Sequence, residues 1–404
     1  MKRELLRRIK IAHPTAALHV GGKENGMVNL VNAMSTDIFE NYIFVFKRGG
    51  ALRQRIDPGQ CQVIELGTRQ GGDLRIYLRL AHHFRRLRFN IVHTRSWSSL
   101  LEGMIAAKLT GVPLLVHGEH GLIKDDTRIH VWVQRGFWRL ADQVMCVSEA
   151  LRESLVARIG FPRERIRVIK NGVELERFNV KVDRHELKAA LGIPPQAPVF
   201  GSIGRLVPVK DYATLIKAAK VVLSELSSAH LIFVGDGPLR EELRALAERL
   251  GIAAQVHFLN WRKDVPALMR VLDVFVLSSL SEGMSNSILE AMCSGTAVVA
   301  TNVGGNPELV VDKETGLLVP SQDAQQMGRA ILALLLDAKR RRAMGAAGRR
   351  RIAEHFSLQV MVRNYEKMYL DIASRHYDFH RELQDKIDRR FSPQSVLASA
   401  SYVE

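Results

Sequence analysis

Short apolar runs rich in β-branched and aromatic residues alternate with longer stretches of helical period along almost the whole chain. In the first half the runs fall at 9–13, 42–46, 62–66, 90–94, 114–117, 143–147 and 167–169, with helical patterns between them, for instance at 74–88 and 98–109. Several runs are apolar at nearly every position, as a strand buried on both faces requires. Their alternation with helices predicts βαβ units around a parallel sheet. Charged residues and then Pro194, Pro195 and Pro198 interrupt the pattern, and 177–198 reads as a linker. A second series follows, with strands at 199–203, 231–234, 255–259, 274–277 and 297–300 and helices at 212–226, 239–250 and 286–293. Helical patterns at 323–336, 338–355 and 357–374 close it. The expectation is an α/β protein of two Rossmann-like, doubly wound domains, 1–176 and 199–356, facing a central cleft. A helix at 357–377 is expected to pack back on the first domain, and 378–404 to form a tail, partly disordered.

Ligands of such sheets bind beyond the carboxyl ends of the strands, which directs attention to the loops there. The first is Gly21-Gly22-Lys23-Glu24-Asn25-Gly26, ahead of the apolar pattern 27–34. Its glycines let backbone amides approach an anion, although a plain tight turn has the same composition. It lacks the spacing of a dinucleotide fingerprint and the Gly-Lys-Ser/Thr of a P-loop, so a nicotinamide enzyme or an NTPase is without its signature. The second, Gly204-Arg205 through Lys210-Asp211, follows the first strand of the second series. A guanidinium and an ammonium on one loop suit a diphosphate, and two solvated surface cations are the competing reading. The third, Ser281-Glu282-Gly283-Met284-Ser285-Asn286-Ser287-Ile288-Leu289-Glu290, places one carboxylate in a loop and another in the following helix. Carboxylates there can accept hydrogen bonds from the vicinal hydroxyls of a ribose or hexose.

Composition narrows the class. With 404 residues, 47% hydrophobic and 25% charged, the chain is neither a disordered polymer nor a small disulfide scaffold. Cys61, Cys146 and Cys293 stand far apart, with no metal-knuckle spacing. No apolar stretch reaches membrane-spanning length and no signal core is evident, so a cytoplasmic protein is expected. The net charge is +16, and residues 1–176 carry 28 Lys and Arg against 17 Asp and Glu. A basic surface of this kind attracts phosphorylated substrates or anionic lipid. Nucleic acid is disfavoured, because no RNA-binding strand, zinc finger or basic zipper is present.

Gly204-Arg205 with Lys210, Gly235-Asp236-Gly237-Pro238, Glu282-x7-Glu290 and Gly304-Gly305-x-x-Glu308 stand in the order and spacing of glycosyltransferase family 4. The first half agrees through Gly21-Gly22, His120-Gly121 and Ile169-Lys170-Asn171-Gly172-Val173. Over roughly residues 8–375 the chain resembles that family, most closely its bacterial exopolysaccharide and envelope-glycan members. The resemblance implies a GT-B fold and a retaining sugar transfer from a nucleotide-diphosphate donor, UDP- or GDP-linked, without a metal or other cofactor. The acceptor implied is a saccharide or lipid-linked glycan met at the inner face of the cell membrane. By position, Arg205 and Lys210 would hold the diphosphate, Glu290 the ribose, and Glu282 the transferred sugar. Gly283, Met284, Ser285 and Asn286 would line the donor. Gly21 and Gly22 would lie under the phosphates, His120 beside the sugar and Asn171 at the cleft floor. The chain departs from the pattern at Lys170, where proline is common, and at Met284, where an aromatic or leucine is.

No Asp-x-Asp triplet occurs, and no carboxylate spacing assigns a nucleophile, so a front-face reaction through an oxocarbenium-like state is expected. Two cations and a helix N-terminus would then stabilise the departing diphosphate. His93, at a strand end, reads as structural, and Glu119 reads equally as a ligand contact or a solvated loop carboxylate. Two other classes fit the same fold. A nucleotide-sugar 2-epimerase would need no acceptor, and a catalytically silent binding protein would turn nothing over.

Overall fold

The structure, a computed structural model, describes residues 4–19, 21–68, 73–121 and 127–392. The chain divides into two compact units, one running to Gly172 and resuming at Leu358, the other spanning Val173–Ser357.

The first unit opens with β1 (Glu4–Leu6), β2 (Ile9–Thr15), α1 (Gly22–Ala33), β3 (Phe39–Val45) and β4 (Cys61–Glu65). It continues with α2 (Arg75–Leu87), β5 (Ile91–Arg95), α3 (Trp97–Thr110), β6 (Leu114–Glu119), α4 (Arg128–Arg139), β7 (Gln143–Cys146), α5 (Glu149–Ile159) and β8 (Ile166–Val168). Seven of these strands form one parallel sheet in the order β4-β3-β2-β5-β6-β7-β8. The order reverses between β2 and β5, the crevice at which doubly wound sheets take ligands. Strand β5 is buried at all five positions, consistent with helices on both faces. Helix α1 starts at Gly22, so Lys23 to Gly26, read from sequence as loop, belong to its first turns.

The second unit contains α6 (Arg184–Ala190), β9 (Val199–Ile203), α7 (Tyr212–Glu225), β10 (His230–Val234), α8 (Arg240–Arg249), β11 (Val256–Leu259), α9 (Val265–Val271) and β12 (Val274–Leu277). It ends with α10 (Asn286–Cys293), β13 (Ala297–Thr301), α11 (Asn306–Leu309), β14 (Gly316–Val319), α12 (Ala324–Leu336) and α13 (Ala338–His355). Its parallel sheet has the order β11-β10-β9-β12-β13-β14, with the reversal between β9 and β12. Phe200, Phe233, Val274, Val276 and Val299 fill its core against α7 and α12.

Three readings change. The segment 177–198 is not a free linker. Asp183 caps α6 through its side chain, and Lys188 Nζ donates to the Ala197 carbonyl at 2.7 Å, folding the stretch onto the second unit. Strand β14, unread in the sequence because it is four residues long and follows Asp312-Lys313-Glu314, completes the sheet edge. The tail is built rather than disordered as far as it is described. After α14 (Leu358–Ala373), β15 (Tyr377–Phe379) pairs in parallel with β1, and α15 (Arg381–Arg390) follows. Residues 393–404 lie outside the described residues. Helix α14 inserts Met361, Tyr365, Met368 and Tyr369 into the first unit's core with Ile9, Phe39 and Ile91. Glu366, fully buried, fixes it by accepting from Ser35 N at 2.8 Å and Arg390 Nε at 3.0 Å. Among the described residues no helix is long and apolar enough to cross a membrane.

Candidate active site

In the second unit the loops after β9, β10, β12 and β13 pack on one another at the carboxyl end of the sheet. Glycine makes this possible at two points. At Gly235, φ is +137°, and a Cβ would fall 2.2 Å from the Gly204 carbonyl oxygen. At Gly304, φ is +51°, and a Cβ would fall 1.8 Å from the Glu282 carbonyl oxygen. No side chain fits either contact. Because β9 and β12 are neighbours at the reversal, Lys210 and Glu282, 72 positions apart, meet: Lys210 Nζ lies 2.6 Å from Glu282 Oε1. Ser279 Oγ donates to the same oxygen at 2.6 Å, and Ser278 Oγ donates to the Lys210 carbonyl at 2.7 Å. Thr301 Oγ1 secures Ser279 through its carbonyl at 2.7 Å. The ammonium and carboxylate are each less than one-fifth exposed, so the pair sits in a recess with a fixed direction. Ser285 caps α10 by accepting from Ile288 N at 3.3 Å, and it brings that helix's N-terminus to the same loop. Met284 is buried, Asn286 and Glu290 half-buried. Arg205 is exposed, and its guanidinium has no protein partner among the described residues.

The first unit carries a second polar centre at the carboxyl ends of β2, β5 and β6. Gly21 precedes α1; its carbonyl accepts from Asn25 Nδ2 at 3.0 Å, and Lys23 Nζ crosses the reversal to Ser98 Oγ at 2.9 Å. Arg95 is 3% exposed and forms no ion pair among the described residues. Its Nη1 donates to His13 Nδ1 at 3.0 Å, which leaves the His13 proton on Nε2, donated to Asn41 Oδ1 at 3.1 Å. His93 Nδ1 meets the Tyr369 hydroxyl at 2.6 Å. Arg95 Nη2, His93 Nε2 and His120 Nε2 are buried without a hydrogen-bond partner. Gly118 lies between the two imidazoles; a Cβ there would stand 3.2 Å from His93 Nε2 and 3.5 Å from His120 Nε2. Burial, then the Arg95 charge, holds His13, His93 and His120 well below the ordinary imidazole value. A neutral His120 can accept a hydrogen bond from a hydroxyl, which an imidazolium cannot.

Glu119 is no solvated loop carboxylate. It ends β6, is buried, accepts from Gln134 Nε2 at 2.6 Å and lies 3.1 Å from His117 Nε2. Asn171 is half-buried in the turn after β8. Arg95 and His13 were missed in the sequence, where His93-Thr94-Arg95 reads only as the end of a strand. Among the described residues no group of three or more His, Cys, Asp or Glu is placed to hold a metal ion.

The sequence pattern described as glycosyl transferases group 1 matches residues 183–351, and that of glycosyltransferase family 4 matches 20–177. The lipopolysaccharide core biosynthesis glycosyltransferase LpsE of Rhizobium meliloti is 30% identical over 347 residues, 85% of this chain and 94% of that one. An Escherichia coli protein named UDP-Gal:alpha-D-GlcNAc-diphosphoundecaprenol alpha-1,3-galactosyltransferase is 27% identical, with 91% and 98% covered. Among solved structures, Anabaena Alr3699/HepE in complex with UDP-glucose shares the fold with a TM-score of 0.82 at 22% identity, over 90% of this chain and 100% of that one. Two parallel-sheet domains with this pair of sequence patterns define a glycosyltransferase of the GT-B fold. The chain belongs to glycosyltransferase family 4.

Proposed function

We propose that the protein transfers a sugar from a nucleotide-diphosphate donor, with retention and without a metal ion, to a lipid-linked saccharide of a bacterial envelope or exopolysaccharide glycan. The Lys210–Glu282 pair, fixed at the reversal of the second sheet, carries this reading. The ammonium and the N-terminus of α10 offer positive charge where a leaving diphosphate accumulates negative charge. Arg205 reaches the same anion from solvent. Glu282 then accepts from the hydroxyls of the transferred sugar and Glu290 from the ribose, while Gly283, Met284, Ser285 and Asn286 line the donor. In the first unit Gly21, Gly22 and the neutral His120 serve the substrates, with Asn171 nearby in sequence to the unit's end. The names of the Escherichia coli and Rhizobium relatives support a donor of the UDP-sugar class and an envelope-glycan acceptor.

The membrane is part of this reading. On α4, Trp132 is 81% and Ile129 73% exposed, on a helix that also bears Arg128, Arg135 and Arg139. An exposed indole among cations suits the boundary between anionic headgroups and acyl chains. The test incubates the protein with radiolabelled UDP- and GDP-sugars, with and without a bacterial lipid extract, in EDTA. Label passing into the lipid fraction with an α-configured linkage supports the proposal; release of free sugar or an epimer without acceptor overturns it. Trp132→Ser should weaken co-sedimentation with anionic vesicles at low salt.

A further inference from the structure

A second basic recess lies at the opposite end of the same sheet, where β9 and β12 begin. It has a volume of about 240 Å³ and is lined by Arg184, His185 and Lys188 of α6, Gln196, Asp273 and Arg341 of α13, among others. Asp273 is the one carboxylate among its described lining residues, and both of its oxygens are engaged. Oδ1 accepts from Arg184 Nη2 at 2.9 Å, with Arg341 Nη2 at 3.5 Å. Oδ2 accepts from Val199 N at 2.9 Å, and Lys188 Nζ stands 3.9 Å away. The same cations also donate to carbonyls: Arg184 Nη2 to Val271, Lys188 to Ala197, and Arg341 to Leu334 and Leu335. Two guanidinium groups and an ammonium therefore share one carboxylate, with His185 beside them.

Two further observations concern this surplus of positive charge. Lys188 is only 6% exposed, an extent of burial that cations reach when an anion compensates them. Arg184 Nε is buried and without a hydrogen-bond partner. The repulsion is felt within the cluster: burial depresses the Lys188 ammonium, Asp273 opposes that, and Arg184 and Arg341 add to it.

We infer that this recess is an anion site for a phosphate-type dianion, free or as a phosphomonoester, separate from the candidate active site. The strands are four to five residues long, so the two ends of the sheet lie roughly 15 Å apart. A tetrahedral dianion offers several acceptors to converging guanidinium and ammonium donors and balances the surplus charge of the three cations. It also ties α6 to the start of β12 and of α13, elements that Asp273 joins through Arg184 and Arg341.

The inference is tested by thermal unfolding of the full chain with inorganic phosphate and with chloride at matched ionic strength. The Lys210→Ala variant is run in parallel, to keep phosphate binding at the candidate active site apart. Phosphate should raise the unfolding temperature saturably in both proteins, and chloride should not. Arg184→Gln and Arg341→Gln, two independent variants that keep a neutral donor, should each weaken the apparent affinity about tenfold or more. Glucose 1-phosphate distinguishes the source: a tighter response than to phosphate marks a phosphomonoester site and an equal one a phosphate site, both supporting the inference. Equal shifts from phosphate and chloride overturn it. So does a phosphate effect that survives both arginine variants, or one that disappears with Lys210→Ala. Wild-type phosphate dependence is readable even if one variant fails to fold.

Discussion

Acidification should destabilise the first unit before the second. His13 and His93 are fully buried and His120 is half-buried with its Nε2 enclosed, and all three are held neutral, with values far below the ordinary imidazole, by burial and then by Arg95. In the unfolded chain each titrates near about 6.5. The unfolded state therefore binds more protons below that pH, so the contribution is intact above about pH 6.5 and is lost as the pH falls. At pH 5.5, one unit below the unfolded value, each imidazole costs about 1.4 kcal/mol, and three together about 4 kcal/mol. Against a typical domain stability of about 5–15 kcal/mol that is a large fraction. His230 and His257 of the second unit are depressed too, but they are only half-buried and pair with each other at 2.9 Å, so their share is smaller. Two-domain unfolding need not be two-state, so the assay is urea unfolding at pH 7.5, 6.5 and 5.5 read by amide hydrogen exchange in each unit. His93→Gln should remove about a third of the pH-dependent loss. First-unit stability equal at pH 7.5 and 5.5 would refute the buried-imidazole argument.

The remaining predictions concern the candidate active site. Lys210→Ala should lower kcat about a hundredfold or more, and Arg205→Ala should do so with no change in unfolding temperature, because its side chain is exposed; near-normal turnover in both defeats the diphosphate assignment. Glu290→Ala should weaken binding of the free nucleotide diphosphate by about 1.5–3 kcal/mol in calorimetry, whereas Glu282→Ala should chiefly harm the nucleotide sugar; the reverse result exchanges their roles. Gly304→Ala should destabilise the second unit by more than about 1 kcal/mol and reduce turnover, since both φ and the 1.8 Å approach to Glu282 oppose a Cβ; wild-type thermal stability in that variant counts against the packed-loop description.

Much of this protein is determined locally. Runs such as Val274–Leu277 are apolar at every position, and only a strand covered on both faces accommodates that, so the two parallel sheets follow from the sequence pattern. The glycine loops and the spacing of Lys210, Glu282 and Glu290 likewise carry the resemblance to glycosyltransferase family 4, while their chemistry by itself points only to an anion and to hydroxyl groups. Where the pattern is short or mixed, it is silent. Strand β14 and the pairing of β1 with β15 depend on neighbours contributed from far along the chain, and α6 depends on a cap and one buried lysine inside a charged, proline-rich stretch. Which charges meet was decided by strand order alone. Adjacency of β9 and β12 joins Lys210 to Glu282 at one end of the sheet and sets Arg184, Lys188 and Arg341 around Asp273 at the other. Burial is equally a tertiary property: Arg95 and its histidines look ordinary in sequence. The histidines acquire perturbed protonation because α14 and the first sheet exclude water from around them, leaving an imidazolium without solvent to stabilise it.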